Sequence, residues 1–409
     1  MGGEWRERAV GELTLNFDGV RVPITERDRH LGPYPYYGAS GVVDHVDGYL
    51  LDGEYLLVAE DGENLRTRST PIAFLAREKF WVNNHAHVVR GNNEADTRFL
   101  MYALAATDIS GYLTGSTMPK LTQSNLNQVR IVTPPVSEQR AIAHILGTLD
   151  GKIELNRRIS ETLETMARAL FKSWFVNFDP VRAKTLARKS ALPPHLSDLF
   201  PSRLSDCELG DIPEGWAVGR VDDEFNVTMG QSPPGESYNE TGDGVPFFQG
   251  RTDFGFRFPT PRVYCTAPTR FAARGDTLIS VRAPVGDINM ASEKCAIGRG
   301  VAAARHKTGA RSYSHQFMRS IEDVFTRFEA EGTVFGSIGK DDFHAIPCVM
   351  PPRGLVLAFE QALAPIDSRI EVNEHESRTV TALRDALLPK LVSGQLRVRD
   401  AEGFVGRVL

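Results

Sequence analysis

The sequence predicts an α+β fold: two strand-rich globular domains alternating with two long helices, arranged as a pseudo-two-fold internal repeat. Three observations predict it. The 409-residue chain repeats itself at a fixed spacing. Each copy opens with short apolar runs punctuated by turn residues. Each copy then closes on a stretch with apolar residues at heptad spacing.

The repeat is ungapped over its best stretch. Pro134-Pro135 recurs as Pro351-Pro352, and Asp150, Ile153 and Asn156 recur as Asp367, Ile370 and Asn373. Gly115 pairs with Gly332, and the apolar Leu126 with Phe343, at the same 217-residue spacing. This register sets the expected boundaries. A first domain spans 1–135, a helix 136–178, a linker 179–212, a second domain 213–352, a second helix 353–395 and a tail 396–409.

In the domains, Tyr55-Leu56-Leu57-Val58-Ala59 and Thr277-Leu278-Ile279-Ser280-Val281 read as strands. Asp52-Gly53, Asp61-Gly62 and Arg274-Gly275-Asp276 read as turns. In the first helix, Ile142, Leu149, Asn156, Leu163 and Leu170 fill one seam position, and Leu146, Ile153, Ser160, Ala167 and Trp174 fill the other. Phe359, Ile366, Asn373, Val380 and Leu387, with Leu363, Ile370, Ser377 and Arg384, repeat the pattern. Such seams ask for a helical partner, and the simplest is the other helix of the same chain. Asn156 and Asn373 sit at the same middle layer, where a buried amide sets register at a cost in stability. Ser137 is read as the N-cap of the first helix. Pro365 is read as a restart or kink of the second and Pro389 as its early end. The proline-rich Pro180–Pro213 reads as a linker.

Composition narrows the function. The net charge is −5, against the usual footprint of a nucleic-acid binder. Charge is segregated, however. Val245–Ser312 holds eleven Arg or Lys against four Asp or Glu, interleaved with Phe247, Phe248, Phe254, Phe256, Phe258, Tyr264 and Phe271. That combination suits phosphates and bases. Four scattered cysteines without a CxxC pair fit a reducing cytoplasm and no zinc ribbon. Met1–Val10 has no apolar segment of a signal peptide, and no run is long enough to span a membrane.

Enzymatic tools are missing. Thr133-Pro134-Pro135-Val136 and Ser232-Pro233-Pro234-Gly235 lack the aromatic that closes an adenine methyltransferase motif. Gly339-Lys340 is followed by Asp341 and has Val334 where a phosphate loop needs its first glycine. His85-Ala86-His87 places two imidazoles on one strand face without a third metal ligand, and Glu60-Asp61-Gly62-Glu63 reads as a charged turn.

The residues resemble a known family over essentially the whole chain. Arg21-Val22-Pro23, Gly32-Pro33-Tyr34-Pro35-Tyr36-Tyr37-Gly38-Ala39-Ser40-Gly41 and Glu60-Asp61-Gly62 look like one variety of target recognition domain from type I restriction-modification specificity subunits. Pro213-Glu214-Gly215-Trp216, Gly275-Asp276-Thr277-Leu278-Ile279-Ser280-Val281-Arg282-Ala283-Pro284-Val285-Gly286 and Ile297-Gly298-Arg299-Gly300 are similar to another. Pro134-Pro135 with Glu138-Gln139 and Ser173-Trp174-Phe175, and Leu387-Leu388-Pro389-Lys390-Leu391, look like the family's central and distal conserved regions. Trp5 comes almost at once, a shorter lead-in than the family shows.

The resemblance implies two target recognition domains, each reading half of a bipartite double-stranded DNA site. It implies helices packed antiparallel as a spacer, two methyltransferase subunits that dock on the assembly, and motor-nuclease subunits that join them. S-adenosylmethionine, ATP and magnesium would then sit only on partner subunits, and this chain would be non-catalytic. Base and phosphate chemistry nominates Tyr36, Tyr37, Ser40, Asn83, Asn84, His85, Ser116, Thr117, Lys120, Thr122 and Gln123 in the first domain. It nominates Gln231, Ser232, Arg251, Thr252, Arg282, Arg299, Ser337 and Lys340 in the second. A self-contained DNA-modifying enzyme and a non-catalytic scaffold remain the alternatives.

Overall fold

The computed structural model describes residues 5–188, 192–330 and 336–406. The chain divides into two compact units, Met1–Glu154 with Ser377–Leu409, and Leu155–Glu376. Gly332, and with it the Gly115 match, lies outside the described residues.

In the first unit, a four-stranded sheet runs in the order Thr14–Asn16, Ala86–Gly91, Tyr55–Ala59, Ala73–Ala76. Tyr55–Ala59 is buried along its whole length, because the sheet is covered on both faces. A second sheet runs Gly41–Val46, Leu31–Gly38, Lys79–Val82, Leu51–Asp52, with Tyr36 and Tyr37 lying parallel to Trp81 and Val82. Arg6–Ala9 pairs antiparallel with Arg130–Thr133. The helix Thr97–Ala106 starts on Asp96, whose carboxylate accepts from the Arg98 and Phe99 amides.

The second unit repeats this plan. Its four-stranded sheet runs Phe225–Met229, Val301–His306, Thr277–Ser280, Ile288–Met290. Its other sheet pairs Val245–Phe248 parallel with Cys295–Ile297, flanked by Phe271–Ala272 and Tyr264–Cys265. Ala217–Arg220 pairs with Pro347–Met350 as Arg6–Ala9 does with Arg130–Thr133. One difference stands out. Gly38 turns back to Gly41 at once, whereas residues 249–263 intervene between the corresponding strands here.

The long helices are Val136–Phe171, continued by a π-helical turn at Lys172–Val176, and Arg353–Val392. Within the first unit, Ile142, Leu146 and Leu149 share a core with Val380, Leu387 and Leu391. Within the second, Ala167, Phe171, Trp174 and Phe175 pack with Leu355, Val356, Phe359 and Leu363. Each side chain of this size removed from water contributes about 1.5–3 kcal/mol. Partners run in opposite order in both units. Glu138 meets Arg397 and Asp150 meets Arg384; Asn156 meets Glu376 and Ser160 meets Asn373. The helices are antiparallel.

Three local expectations need correction. Ser137 lies inside the first helical turn, and the Glu138 and Gln139 amides bond back to the Pro135 carbonyl. The second helix runs unbroken through Pro365 and Pro389. Both prolines and the residues four before them, Gln361 and Asp385, are exposed. Water can take the freed carbonyls while Leu363, Ile370, Leu387 and Leu391 stay buried. The segment read as a linker is folded, with helices Asp179–Thr185 and Pro194–Ser197 and a hairpin of Leu204–Cys207 with Gly210–Pro213. Val181, Phe200 and Ile212 from it enter the second core beside Phe178.

Candidate nucleic-acid interface

In each unit four chain segments leave the sheets side by side, joined by the same ladder of backbone hydrogen bonds. In the first unit the Asn83 amide donates to the Tyr37 carbonyl (3.1 Å), Glu60 to His85 (2.9 Å) and Leu121 to Glu60 (2.8 Å). In the second, Gly298 donates to Phe248 (2.8 Å), Val281 to Gly300 (2.9 Å) and Ile338 to Val281 (3.1 Å). A reciprocal pair closes each ladder, Gly62 to Pro119 (3.2 Å) and Ala283 to Gly336 (2.9 Å). Asp61 thereby faces Lys120, and Arg282 faces Ser337. Gly300 must be glycine, because a Cβ there would lie 2.2 Å from the Gln249 carbonyl oxygen.

Most nominated residues of the first unit collect on this rim. Ser40, Asn84, His85, Ser116, Thr117, Lys120 and Gln123 are exposed there. The loop bearing Ser116 and Thr117 turns on Gly115 at φ +85° and is tied down by the Arg66 guanidinium, which donates to the Gly115 carbonyl (3.0 Å). The His85 Nδ1 lies 2.8 Å from the Asp61 carboxylate, and Lys120 Nζ lies 3.1 Å from Glu60.

Four nominations are structural. Tyr36 is buried, its hydroxyl accepting from the Ile24 amide. Tyr37 is half-buried against Phe74 and Phe80, and burial raises its pKa. Asn83 is buried and accepts from the His85 amide. Thr122 caps the helix Gln123–Gln128. The two imidazoles also part company. His85 precedes its strand and is exposed, while His87 is buried and bridges Asp18 (2.6 Å) and the Leu121 carbonyl (2.7 Å). The reason is that the strand begins only at Ala86, so the alternation does not reach His85.

Beneath this rim lies an ion network. Glu60 joins Arg21 (2.6 Å) and Lys120. Burial pushes its carboxyl pKa up, but hydrogen bonds from Arg21 and Lys120 more than offset that, leaving it low. Asp18, likewise opposed by burial, is held low by His87 and the Val88 amide.

In the second unit Gln231, Arg251, Thr252, Arg282, Arg299, Ser337 and Lys340 are exposed, and Ser232 is half-buried. Arg251 pairs with Asp287 (2.8 Å), and Arg299 donates to the Ser232 hydroxyl (3.3 Å). Lys340 opens the short helix after the Ser337 bridge, as Gln123 does after Lys120. The basic, aromatic stretch is less available than its composition promised. Arg257 is buried, and Arg262, Arg274 and Arg305 pair with Asp253, Glu371 and Asp276. Phe247, Phe248 and Phe258 are core residues. Asp61, Arg66 and Gln249 were not nominated; Asp61 faces Lys120 across the bridge, Arg66 bonds the Gly115 carbonyl, and Gln249 lies against Gly298 and Gly300.

Asn156 and Asn373 are both buried between the helices. The Asn156 amide donates to a Glu376 carboxylate (2.9 Å), and that of Asn373 to the Ser160 hydroxyl (3.2 Å). Among the described residues no cluster of three metal-ligating side chains occurs, and no helix is long and apolar enough to cross a membrane.

Residues 2–165 match the family model of the type I restriction modification DNA specificity domain. A putative type I restriction enzyme MjaX specificity subunit of Methanocaldococcus jannaschii is 32% identical, over 68% of this chain and 62% of that protein. The chain thus covers under two thirds of that relative's length. The type I restriction enzyme MjaIX specificity subunit of the same organism is 24% identical over 97% of both chains. The crystal structure of a type I restriction-modification system S subunit from M. genitalium superposes with a TM-score of 0.63 at 17% identity, covering 95% of this chain and 96% of that one. Along its length the chain is similar to type I restriction-modification specificity subunits.

Proposed function

We propose that this chain supplies the DNA sequence specificity of a type I restriction-modification complex. Each unit reads one half of a bipartite duplex site through its rim, and the antiparallel helix pair sets the spacing between the halves. The chain performs no chemistry. Two methyltransferase subunits that use S-adenosylmethionine dock on it, and motor-nuclease subunits that use ATP and magnesium join where they are present. The exposed Leu155, Met166, Leu357 and Val372 on the long helices offer apolar surface for docking.

One observation carries the reading. Two units of the same topology present the same backbone ladder with different side chains at matched positions. Phosphate contacts place such a frame, and the differing side chains choose the bases. A self-contained enzyme has no use for two such rims. The buried Asn156 and Asn373 serve the register of the helix pair in this reading.

Single-molecule sequencing of host DNA with and without the gene tests it. N6-methyladenine in one bipartite motif disappears on deletion. Methylation that persists unchanged in every motif, in cells expressing the methyltransferase partner, overturns the assignment.

A further inference from the structure

The two rims differ most at the closing bridge. In the first unit both bridge side chains are already engaged: Asp61 by His85 and Lys120 by Glu60. In the second, the residue in the place of Glu60 is Val281 and the one in the place of His85 is Gly300. The two places that hold a carboxylate and an imidazole beside the first bridge thus hold neither beside Arg282. Its side chain is exposed and makes no hydrogen bond or ion pair among the described residues. The other two nominated arginines of this rim are tied down, Arg251 on Asp287 and Arg299 on Ser232.

The backbone carrying Arg282 is held on both sides. Val281 and Ala283 bond to Ile338 and Gly336. The loop beyond is closed onto Ser280, whose hydroxyl donates to the Pro284 carbonyl (2.9 Å) and accepts from the Asp287 amide (2.9 Å). A guanidinium with five donors, fixed at its base and unspent, suits the paired N7 and O6 acceptors of guanine in the major groove. A phosphate contact asks for charge without this fixed base.

We propose that Arg282 is a specificity-determining residue that reads a guanine in the half-site bound by the second unit. The inference rests on the functional reading above. At the matched place in the first unit, the Asp61–His85 pair offers no free guanidinium, so the two half-sites differ at this position.

The test is selection from a randomised duplex library by the full chain co-purified with its methyltransferase partners, comparing the parent protein with Arg282→Ala. The parent selects a bipartite motif. In the variant one G·C pair in one half-site loses its discrimination by roughly one to two orders of magnitude, and the other half-site is unchanged. The exposed position leaves the thermal midpoint unchanged, which separates lost reading from lost folding. An unaltered motif overturns the inference. So does an equal loss on all sequences with a shallower salt dependence, the sign of a phosphate contact. A parent complex that selects no bipartite motif overturns the functional reading, and this inference with it.

Discussion

The two units grip the long helices with side chains from the domain and from each helix, yet they distribute charge in opposite ways. In the first unit Asp150 and Arg384 come from the two helices and neutralise one another at 2.9 Å, and the domain adds only the Tyr102 hydroxyl, donating to Asp150 at 2.6 Å. In the second unit both helices present carboxylates, Glu164 and Asp367, and the domain supplies the cations, Arg257 between the two and Arg319 at 3.6 Å from Glu164. Asp150 and Asp367 are repeat partners. The same inherited carboxylate is thus answered from a helix in one unit and from the domain in the other. The difference teaches where each helix pair is self-sufficient. The second one is not, because without its domain two carboxylates share a buried site.

The largest break in this comparison is Arg257→Ala. Arg257 is 1% exposed, and its guanidinium bonds Asp367 at 2.7 Å and Glu164 at once. Removing it takes the cation from the buried Asp367 and leaves Glu164 with Gln316 (3.1 Å) and the more distant Arg319 (3.6 Å), at a cost of about 3–5 kcal/mol. Denaturant unfolding followed by hydrogen exchange places the loss in Leu155–Glu376 and leaves the other unit at its original stability. The pH dependence carries a sign. Burial pushes the Glu164 carboxyl up, but Arg257 and Arg319 pull it down further, so its folded pKa lies below the ordinary 4.5. In the parent its contribution is complete above that ordinary value and is lost as pH falls through the folded one. In the variant only Arg319 and the Gln316 hydrogen bond still oppose burial, the depression of the Glu164 carboxyl shrinks, and protonation relieves part of the strain. The gap between parent and variant narrows on acidification, and a gap that widens refutes the assignment.

A second, intermediate contrast lies at the start of the helices. Gln139 is fully buried and donates to the Glu94 (3.0 Å) and Pro134 (2.8 Å) carbonyls while accepting from the Asp96 amide (2.9 Å). Its repeat partner Val356 is equally buried and apolar. Gln139→Val copies the second unit's solution into the first and leaves those backbone groups without partners. The expected cost is about 2–3 kcal/mol, read as a lower denaturation midpoint. A neutral substitution would show that the two helix starts are interchangeable.

Much of the architecture is legible in the sequence, and particular residues show why the rest is not. The duplication and the seams follow from spacing alone, and Ile142, Leu146, Leu149, Phe359, Leu363 and Ile370 are buried where the heptads put them. Arg257 was one of eleven basic residues in its stretch, and its partners lie 93 and 110 residues away, so nothing local marked it as buried. Pro365 was read from its missing amide, whereas its exposed setting removes most of the penalty. Tyr36 and Asn83 have the chemistry of base readers, but hydrogen bonds to Ile24 and His85 spend it inside the domain. Side-chain type marks what a residue can contact; the ladder of segment ends decides which ones face outward.

The smallest effect sharpens the comparison from the other side. Arg384 and Asp150 are about a third exposed, and Arg384 also bonds Asp385 at 2.7 Å. Water takes over most of what Arg384→Ala removes, so the loss is about 1 kcal/mol or less and shrinks with added salt. Tyr102 keeps its hydrogen bond to Asp150, and its hydroxyl, already raised by burial and by that carboxylate, stays protonated at neutral pH. Arg384→Ala and Arg257→Ala each delete a guanidinium from an aspartate at the same repeat position, and they differ in burial and in the second carboxylate, exposed Asp385 in one case and buried Glu164 in the other. If the two cost the same, measured side by side by denaturant unfolding in low and high salt, burial is not what separates the two grips. The dependence of the second helix pair on its domain would then have to be sought in the apolar packing around Phe359 and Leu363 instead.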